Sequence, residues 1–459
     1  MYVRGDFVNI LDVIAKKRDK GVLSKEEIEF FVNEYVDGKI EDYQASAMLM
    51  AMYINGLNMQ ETVDLTLAMA NSSNVLDFEG IFRNSYILDK HSTGGVGDKV
   101  TIIAIPIAAS LGVKVFKMSG RGLGFTGGTA DKLESIEGYK TEQDLVSALR
   151  ILNENGACMI TQSSEIAIAD KKLYALRDVT ATVNSIPLIA ASIMSKKIAS
   201  GVDKIVLEVT CGDGAFCKNE EEARKLSEIM VEIGKMVKKE TVAIITNMDE
   251  PLGLKVGNTL EIEEVIEFLL ADRETLESDK FKDLKDVVFE IVAYMLKLAG
   301  LCENVREAKL KIMENILNHN AYRKFIDIVK AQGGHITSVY MEHLNMNVDI
   351  PILPHKASFM KEIKADKDGF VNYLDTEKVG KALVELGGGR HKKDDLIDLS
   401  VGFVIKKKNG EAVKQGDTIM QVLFNDKEKF ENAATYLAQG IKVDDNKLIK
   451  GQAILDIVT

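Results

Sequence analysis

Residues 90–101 read Lys-His-Ser-Thr-Gly-Gly-Val-Gly-Asp-Lys-Val-Thr, and they stand where a strand-like run, Tyr86-Ile-Leu-Asp89, gives way to an apolar helix. Glycines at 94, 95 and 97 let the backbone turn tightly and aim several N–H groups at one point. A helix N-terminus adds free donors and partial positive charge. With His91, two lysines and three hydroxyls alongside, the stretch is suited to an oxyanion, phosphate above all.

Residues 113–129 repeat the plan: Val-Lys-Val-Phe-Lys-Met-Ser-Gly-Arg-Gly-Leu-Gly-Phe-Thr-Gly-Gly-Thr, again a strand followed by glycines, hydroxyls and cations. Two such loops can face one anion from two sides. Two nucleotide-binding patterns come close and fail. Gly122-Leu-Gly124-Phe-Thr-Gly127 fits the dinucleotide pattern, but the acidic ribose ligand belongs about 20 residues on. Asp144 meets that requirement only loosely, inside a polar, helix-like run. The P-loop needs glycine next to lysine, and here Asp98 separates Gly97 from Lys99.

Outward from the two loops, short β-branched runs at 87–89, 113–118, 205–209 and 241–247 alternate with helical sequence. Such alternation predicts an α/β fold with a mostly parallel central sheet flanked by helices. Ligands in these sheets sit at the carboxyl ends of the strands, where both loops lie. Residues 9–70 instead repeat apolar residues at helical spacing, with Ser24 and Glu27 placed as a capping box. Met48, Met50, Met52 and Met69 read as core filling of this small all-α domain. Helices run on from 260 to about 332. After Pro354 the texture changes to strand-like alternation at 402–410 and 412–423, a C-terminal α+β domain. The expected division is therefore 1–70 helical, 75–345 α/β and phosphate-binding, and 350–459 α+β.

A chain of 459 residues exceeds what one core usually serves, in keeping with three units. The net charge of −12 argues against general nucleic-acid binding and makes the cations between 90 and 121 more telling. No apolar run reaches the ~18 residues of a membrane span, and Met1-Tyr-Val-Arg-Gly-Asp6 lacks the apolar core of a secretion signal. A cytoplasmic protein without a membrane partner is expected. Cys158, Cys211, Cys217 and Cys302 form no CxxC pair and read as reduced structural thiols. Lys406-Lys-Lys408 precedes Asn409-Gly410 and reads as a solvated hairpin turn.

The loops also carry a resemblance. Lys90-His91-Ser92-Thr93-Gly94-Gly95-Val96-Gly97-Asp98 and Ser119-Gly-Arg-Gly-Leu-Gly-Phe-Thr-Gly-Gly-Thr-Ala-Asp-Lys-Leu-Glu-Ser-Ile136 resemble the thymidine/pyrimidine-nucleoside phosphorylases. Tyr174-Ala-Leu-Arg-Asp-Val-Thr-Ala-Thr182, Ala190-Ala-Ser-Ile-Met-Ser-Lys-Lys197 and Gly212-Asp-Gly-Ala-Phe-Cys-Lys218 follow in that family's order, so the likeness spans nearly the whole chain. It implies that 165–195 returns to the N-terminal helical domain, that the protein is a homodimer, and that it splits uridine, deoxyuridine and thymidine reversibly with phosphate. The products would be free base and (deoxy)ribose 1-phosphate.

Phosphate is assigned to Lys90, Ser92, Thr101, Lys117, Met118, Ser119 and Thr129, with Gly94, Gly95 and Met118 giving backbone donors. His91, beside that loop, can donate a proton or hydrogen bond to the departing base and is the catalytic candidate. The resemblance gives Arg177, Ser192 and Lys196 to the base, Ser192 and Lys196 being one helical turn apart. With phosphate on one domain and the base partly on another, closure upon binding follows.

No organic cofactor is implied. A potassium ion is, through Gly97, Lys99, Leu252, Lys255 and Glu264. Because two of these are lysine, either their carbonyls still serve the ion or an ammonium takes its place beside Glu264. Other departures are Phe125, where many members carry histidine, and Asn71-Ser-Ser73, which lacks a common glycine. Lys117-Met118-Ser119 is spelled as in the broad-specificity enzymes, which favours them over a strict thymidine phosphorylase. Transfer of the anthranilate phosphoribosyltransferase kind would need a magnesium-binding acidic motif, for which Asp213 and Glu220-Glu-Glu222 are a poor substitute. A non-catalytic nucleoside or phosphate sensor would not need His91, Arg177 and Lys196 together.

Overall fold

The computed structural model describes residues 8–73, 75–78, 82, 86–122, 124–161, 166–392, 395–449 and 451–459, apart from the side chain of His343. The reading of Met1–Asp6, and Leu123 and Glu165 within the motifs above, lie outside the described residues. Four helices open the chain: α1 (Ile10–Arg18), α2 (Lys25–Val36), α3 (Asp42–Asn55) and α4 (Met59–Ala70). Ser24 caps α2 through the capping box with Glu27, and Asn58 does the same for α4 with Glu61. Met48, Met52 and Met69 fill the core, whereas Met50 faces outward. Lys17 and Glu61, both buried and 2.7 Å apart, tie α1 to α4.

The α/β unit follows with β1 (Ile87–Ser92), α5 (Val100–Ser110), β2 (Lys114–Ser119), α6 (Thr129–Leu133), α7 (Leu145–Asn155), β3 (Ala157–Thr161), α8 (Ile168–Val179), α9 (Ile186–Ala199), β4 (Lys204–Cys211), α10 (Glu220–Met236), β5 (Glu240–Asn247), β6 (Lys255–Val256) and α11 (Asn258–Leu269). Helices α12 (Arg273–Glu277), α13 (Lys282–Leu298), α14 (Val305–Leu317) and α15 (Asn320–Ala331) complete it. Strands run parallel in the order β5-β4-β1-β2-β3. The four expected strands are present. Strand β3 escapes sequence reading because Ala157-Cys-Met-Ile-Thr161 carries few β-branched apolar residues. Helix α5 is apolar on every side, and Val100–Ala109 are all buried, so it passes through the core rather than over it.

Helices α8 and α9 join the two units. Ala169, Leu173, Leu188 and Ala191 enter the core of α1–α4, while Ala190, Ile193, Met194 and Ile198 enter that of the sheet. Helix α8 starts from Ala167 at φ 50° with no side-chain cap of its own. The hydroxyls of Ser72 and Ser73 accept the N–H groups of Ala169 and Ala167 instead, at 2.9 and 2.8 Å. The serines in Asn71-Ser-Ser73 thus anchor the return of the chain to the helical unit.

The remainder comprises β7 (Ile336–Met341), β8 (Met346–Pro351), β9 (Phe359–Lys364), β10 (Gly369–Tyr373), α16 (Thr376–Glu385), β11 (Gly402–Ile405), β12 (Ala412–Val413), β13 (Thr418–Phe424), α17 (Lys427–Gly440), β14 (Ile441–Asp444) and β15 (Ile454–Val458). Strands β7 and β8 form a hairpin that the helical reading stops short of. Two antiparallel sheets, β6-β11-β13-β9 and β12-β10-β14, carry the C-terminal core.

This part is less separate than 350–459 suggests. It borrows β6 from before α11 and returns β15 antiparallel to β5, covering an otherwise open sheet edge. Asn409-Gly410 does not close a hairpin either: β11 pairs with β13, and β12 pairs with β10. Lys408 is no solvated turn residue. It is buried, 2.9 Å from Asp283 and 3.7 Å from Glu250, and it donates to Pro251 O and Gly253 O, pinning the C-terminal unit to the α/β unit.

Candidate active site

The carboxyl end of β1 sends polar side chains into a region otherwise packed with apolar ones. Lys90 lies 2.5 Å from Glu208 of β4, both without solvent exposure, and donates to the Thr101 hydroxyl at 2.9 Å. Asp89 accepts from Lys197 of α9 at 2.5 Å. Ser92 donates to Asp98 at 2.5 Å and accepts the Gly94 N–H at 3.0 Å, which folds the loop back on itself. Gly94 and Gly97 adopt φ of 84° and 78°, and a Cβ on Gly97 would meet Leu252 O at 2.7 Å. Burial alone would raise the Asp98 carboxyl. Lys90, Lys132 and the Ser92 hydroxyl outweigh it and hold the group below the usual range.

Lys117 and Ser119 bring β2 to the same place. Lys117 is buried and donates to Met118 O at 2.9 Å, yet it pairs with no carboxylate among the described residues. Burial first, then the neighbouring Lys197 and Lys90 charges, push its ammonium down to about 7. The buried Ser119 hydroxyl has no partner among the described residues. A cation and a hydroxyl held this way are poised for an anion that would supply what each lacks. Thr129 opens α6 after the second loop.

Both loops are held from outside. Asp131 accepts the Gly122 N–H at 2.7 Å and receives Arg390 of the C-terminal unit in a two-pronged contact, 2.8 Å on each side. Lys132 reaches the Asp98 carbonyl at 2.5 Å and Glu261 at 2.6 Å. The ring of Phe125 stands 5.8 Å from Phe216 with Lys218 5.2 Å above it, an apolar contact between the second loop and the segment after β4.

His91 keeps part of its surface open but is ringed by cations. Burial, then Lys197, Lys117, Lys196 and Lys90, hold its pKa well below the ordinary histidine value, so the imidazole is neutral at pH 7. On α9, Lys196 donates to Ser192 at 3.1 Å and pairs with Asp170 at 2.6 Å. Arg177 is less free than the sequence suggests: it donates to Thr182 O, Leu188 O and Val183 O at 3.2, 3.1 and 2.7 Å. Two guanidinium N–H groups remain for a ligand. Asp170 influences both Arg177 and Lys196, which places the three near one another.

The five positions matched to potassium also converge, but around an ammonium. Lys99 Nζ, fully buried, donates to Leu252 O at 2.7 Å and lies 2.8 Å from Glu264. Glu264 accepts the Leu254 and Lys255 N–H groups at 2.7 and 2.9 Å. The Lys255 side chain turns away to Glu263 and Glu267, 2.8 Å from each. The space between carbonyl and carboxylate is filled, so these residues do not fit a potassium ion.

Sequence reasoning missed Asp89, Asp98, Asp170, Lys197 and Glu208. One of them was visible in principle. Glu208 interrupts Ile205-Val-Leu-Glu-Val209, a strand buried on both faces, where a lone carboxylate needs a buried partner.

Comparison with known proteins accounts for this layout. The glycosyl transferase family helical bundle domain matches residues 11–73, its a/b domain residues 84–322, and the pyrimidine nucleoside phosphorylase C-terminal domain residues 370–444. A pyrimidine-nucleoside phosphorylase of Staphylococcus haemolyticus is 45% identical over 95% of this chain and 96% of its own. One of Staphylococcus aureus is 44% identical over 96% and 97%. The anthranilate phosphoribosyltransferase of Thermus thermophilus shares the fold at a TM-score of 0.54 and 18% identity, covering 70% of this chain and 99% of that one. With all three domains matched in order and relatives aligned over nearly its whole length, the chain belongs to the pyrimidine-nucleoside phosphorylase family of glycosyl transferases.

Proposed function

We propose that this enzyme cleaves uridine, deoxyuridine and thymidine reversibly with inorganic phosphate. The observation that carries the reading is Lys117, a buried cation that, among the described residues, has no carboxylate partner, beside a Ser119 hydroxyl that has no partner among them either. Phosphate would lie against Lys90, Ser92, Thr101, Lys117, Ser119 and Thr129, with N–H groups of Gly94, Gly95 and Met118 on its oxygens. Arg177, Ser192 and Lys196 would hold the pyrimidine by its carbonyls and ring N–H.

A phosphate oxygen attacks the anomeric carbon as the glycosidic bond breaks, and the bonding pair passes to the base. One proton leaves the attacking phosphate and one reaches the base, so no further reactant is needed. Neutral His91 donates a hydrogen bond to the base carbonyl as negative charge grows there. No covalent nucleophile is required, and positioning and electrostatics supply the acceleration. The Lys117-Met118-Ser119 spelling supports broad specificity over thymidine alone.

Leu11, Tyr43, Tyr53 and Ile54 leave an apolar face exposed on α1 and α3, which supports a homodimer through the helical unit. Four free thiols fit the cytoplasm. Among the described residues no helix is long and apolar enough to cross a membrane.

Chromatography of reactions with each of the three nucleosides tests the proposal. Free base that forms only when phosphate is present supports it. Turnover of anthranilate with phosphoribosyl diphosphate, or ligand binding without any turnover, contradicts it.

A further inference from the structure

Residues 251–253, between β5 and β6, offer three successive carbonyls to cations. Lys408 takes Pro251 O and, at 3.2 Å, Gly253 O, while Lys99 takes Leu252 O at 2.7 Å. Gly253 adopts φ 71°, and a Cβ there would lie 2.9 Å from Lys99 Nζ and 2.8 Å from Glu264. Glycine is what lets the loop close on the ammonium. An ammonium and a potassium ion carry the same charge and have nearly the same radius, so the two exclude each other between Leu252 O and Glu264.

We infer that Lys99 supplies from within the chain the cation expected here from solution, and that the protein binds no alkali ion at this place. The tethered ammonium also has a mechanical consequence. Glu261 and Glu264 stand one turn apart on α11. Glu261 holds Lys132, which also grips the Asp98 carbonyl, and Glu264 holds Lys99. One helix face thereby fixes both glycine-rich loops through two lysines. Because the cation is covalently attached, the lock needs no ion to be captured and ordered.

The test compares full-length enzyme in tetramethylammonium, sodium and potassium chloride at constant ionic strength, with thermal unfolding as one readout. Anomalous scattering from thallous ions soaked into crystals is the other. Neither depends on phosphorolysis, so a failure here is distinct from a failure of the proposed reaction. Wild type should show the same Tm in potassium as in sodium, since a place that binds neither ion adds no potassium-specific stabilisation, and no thallium peak near Glu264. Lys99→Ala opens the space: its Tm should drop in tetramethylammonium and recover in potassium, with a thallium peak between Leu252 O and Glu264. Lys99→Met fills the space without charge, and its Tm should drop without recovery. A thallium peak beside Glu264 in wild type, or a potassium-specific rise in wild-type Tm, overturns the inference. Should the alanine variant fail to fold, the wild-type soak decides alone.

Discussion

Glu208 of β4 and Lys90 of β1 lie 2.5 Å apart beneath the first glycine-rich loop, neither reaching solvent. Burial is the main reason the Glu208 carboxyl is pushed up to about 7, with the Asp98 charge adding to it and Lys90 opposing. Removing one partner of such a pair strands the other charge. Glu208→Ala should cost about 3–5 kcal/mol of stability, measured by urea unfolding. A loss indistinguishable from zero would mean that Lys90 finds another partner.

The depressed Lys117 pKa sets a sign for stability against pH. The folded chain holds this proton up to about 7, whereas the unfolded lysine holds it up to 10.5. Between those values the unfolded state binds more protons, so the Lys117 contribution to stability rises with pH, by at most about 1.4 kcal/mol per unit. Sulfate, which does not titrate in this range, should restore the charge and bind more weakly as pH climbs from 7 to 9. Lys117→Met should abolish that slope in isothermal titration. A sulfate affinity independent of pH in wild type would contradict the assignment.

His91 should behave as a neutral group. Its NMR titration in the free enzyme is expected well below the ordinary histidine range, because burial and then four lysines disfavour the imidazolium. His91→Ala should lower kcat by about 10²–10⁴-fold while changing phosphate affinity little. Unchanged kcat at saturating substrates would remove it from the reaction.

Arg390 reaches from the C-terminal unit to Asp131, which holds the Gly122 N–H of the second loop. Arg390→Ala should raise the KM for phosphate about tenfold, the scale of one charge-assisted hydrogen bond. Arg390→Lys should recover little of it, since an ammonium cannot make the paired contact. Equal kinetics in all three proteins would show that the loop needs no such support.

The local signals in the sequence were informative where the chain needs only its neighbours. Glycine-rich turns after β1 and β2, the Ser24–Glu27 box and the pairing of Ser192 with Lys196 across one helical turn are of this kind. Long-range choices were not legible. Lys408 looked solvated because Asp283 and Glu250, which neutralise it, are far away in sequence. Strand β15 could not be assigned to the central sheet from its own residues, since the open edge of β5 decides its place. Lys99 and Lys255 looked alike in sequence, yet one turns inward to Glu264 and the other outward to Glu263 and Glu267.

A crystal soaked with sulfate and uracil tests the whole arrangement most directly. Sulfate should touch Lys117 Nζ and the Ser119 hydroxyl, and uracil should lie among Arg177, Ser192 and Lys196 with His91 on a carbonyl, close enough for one ribose to bridge the two. Sulfate or uracil bound away from these residues, or too far apart to share a sugar, would contradict the account.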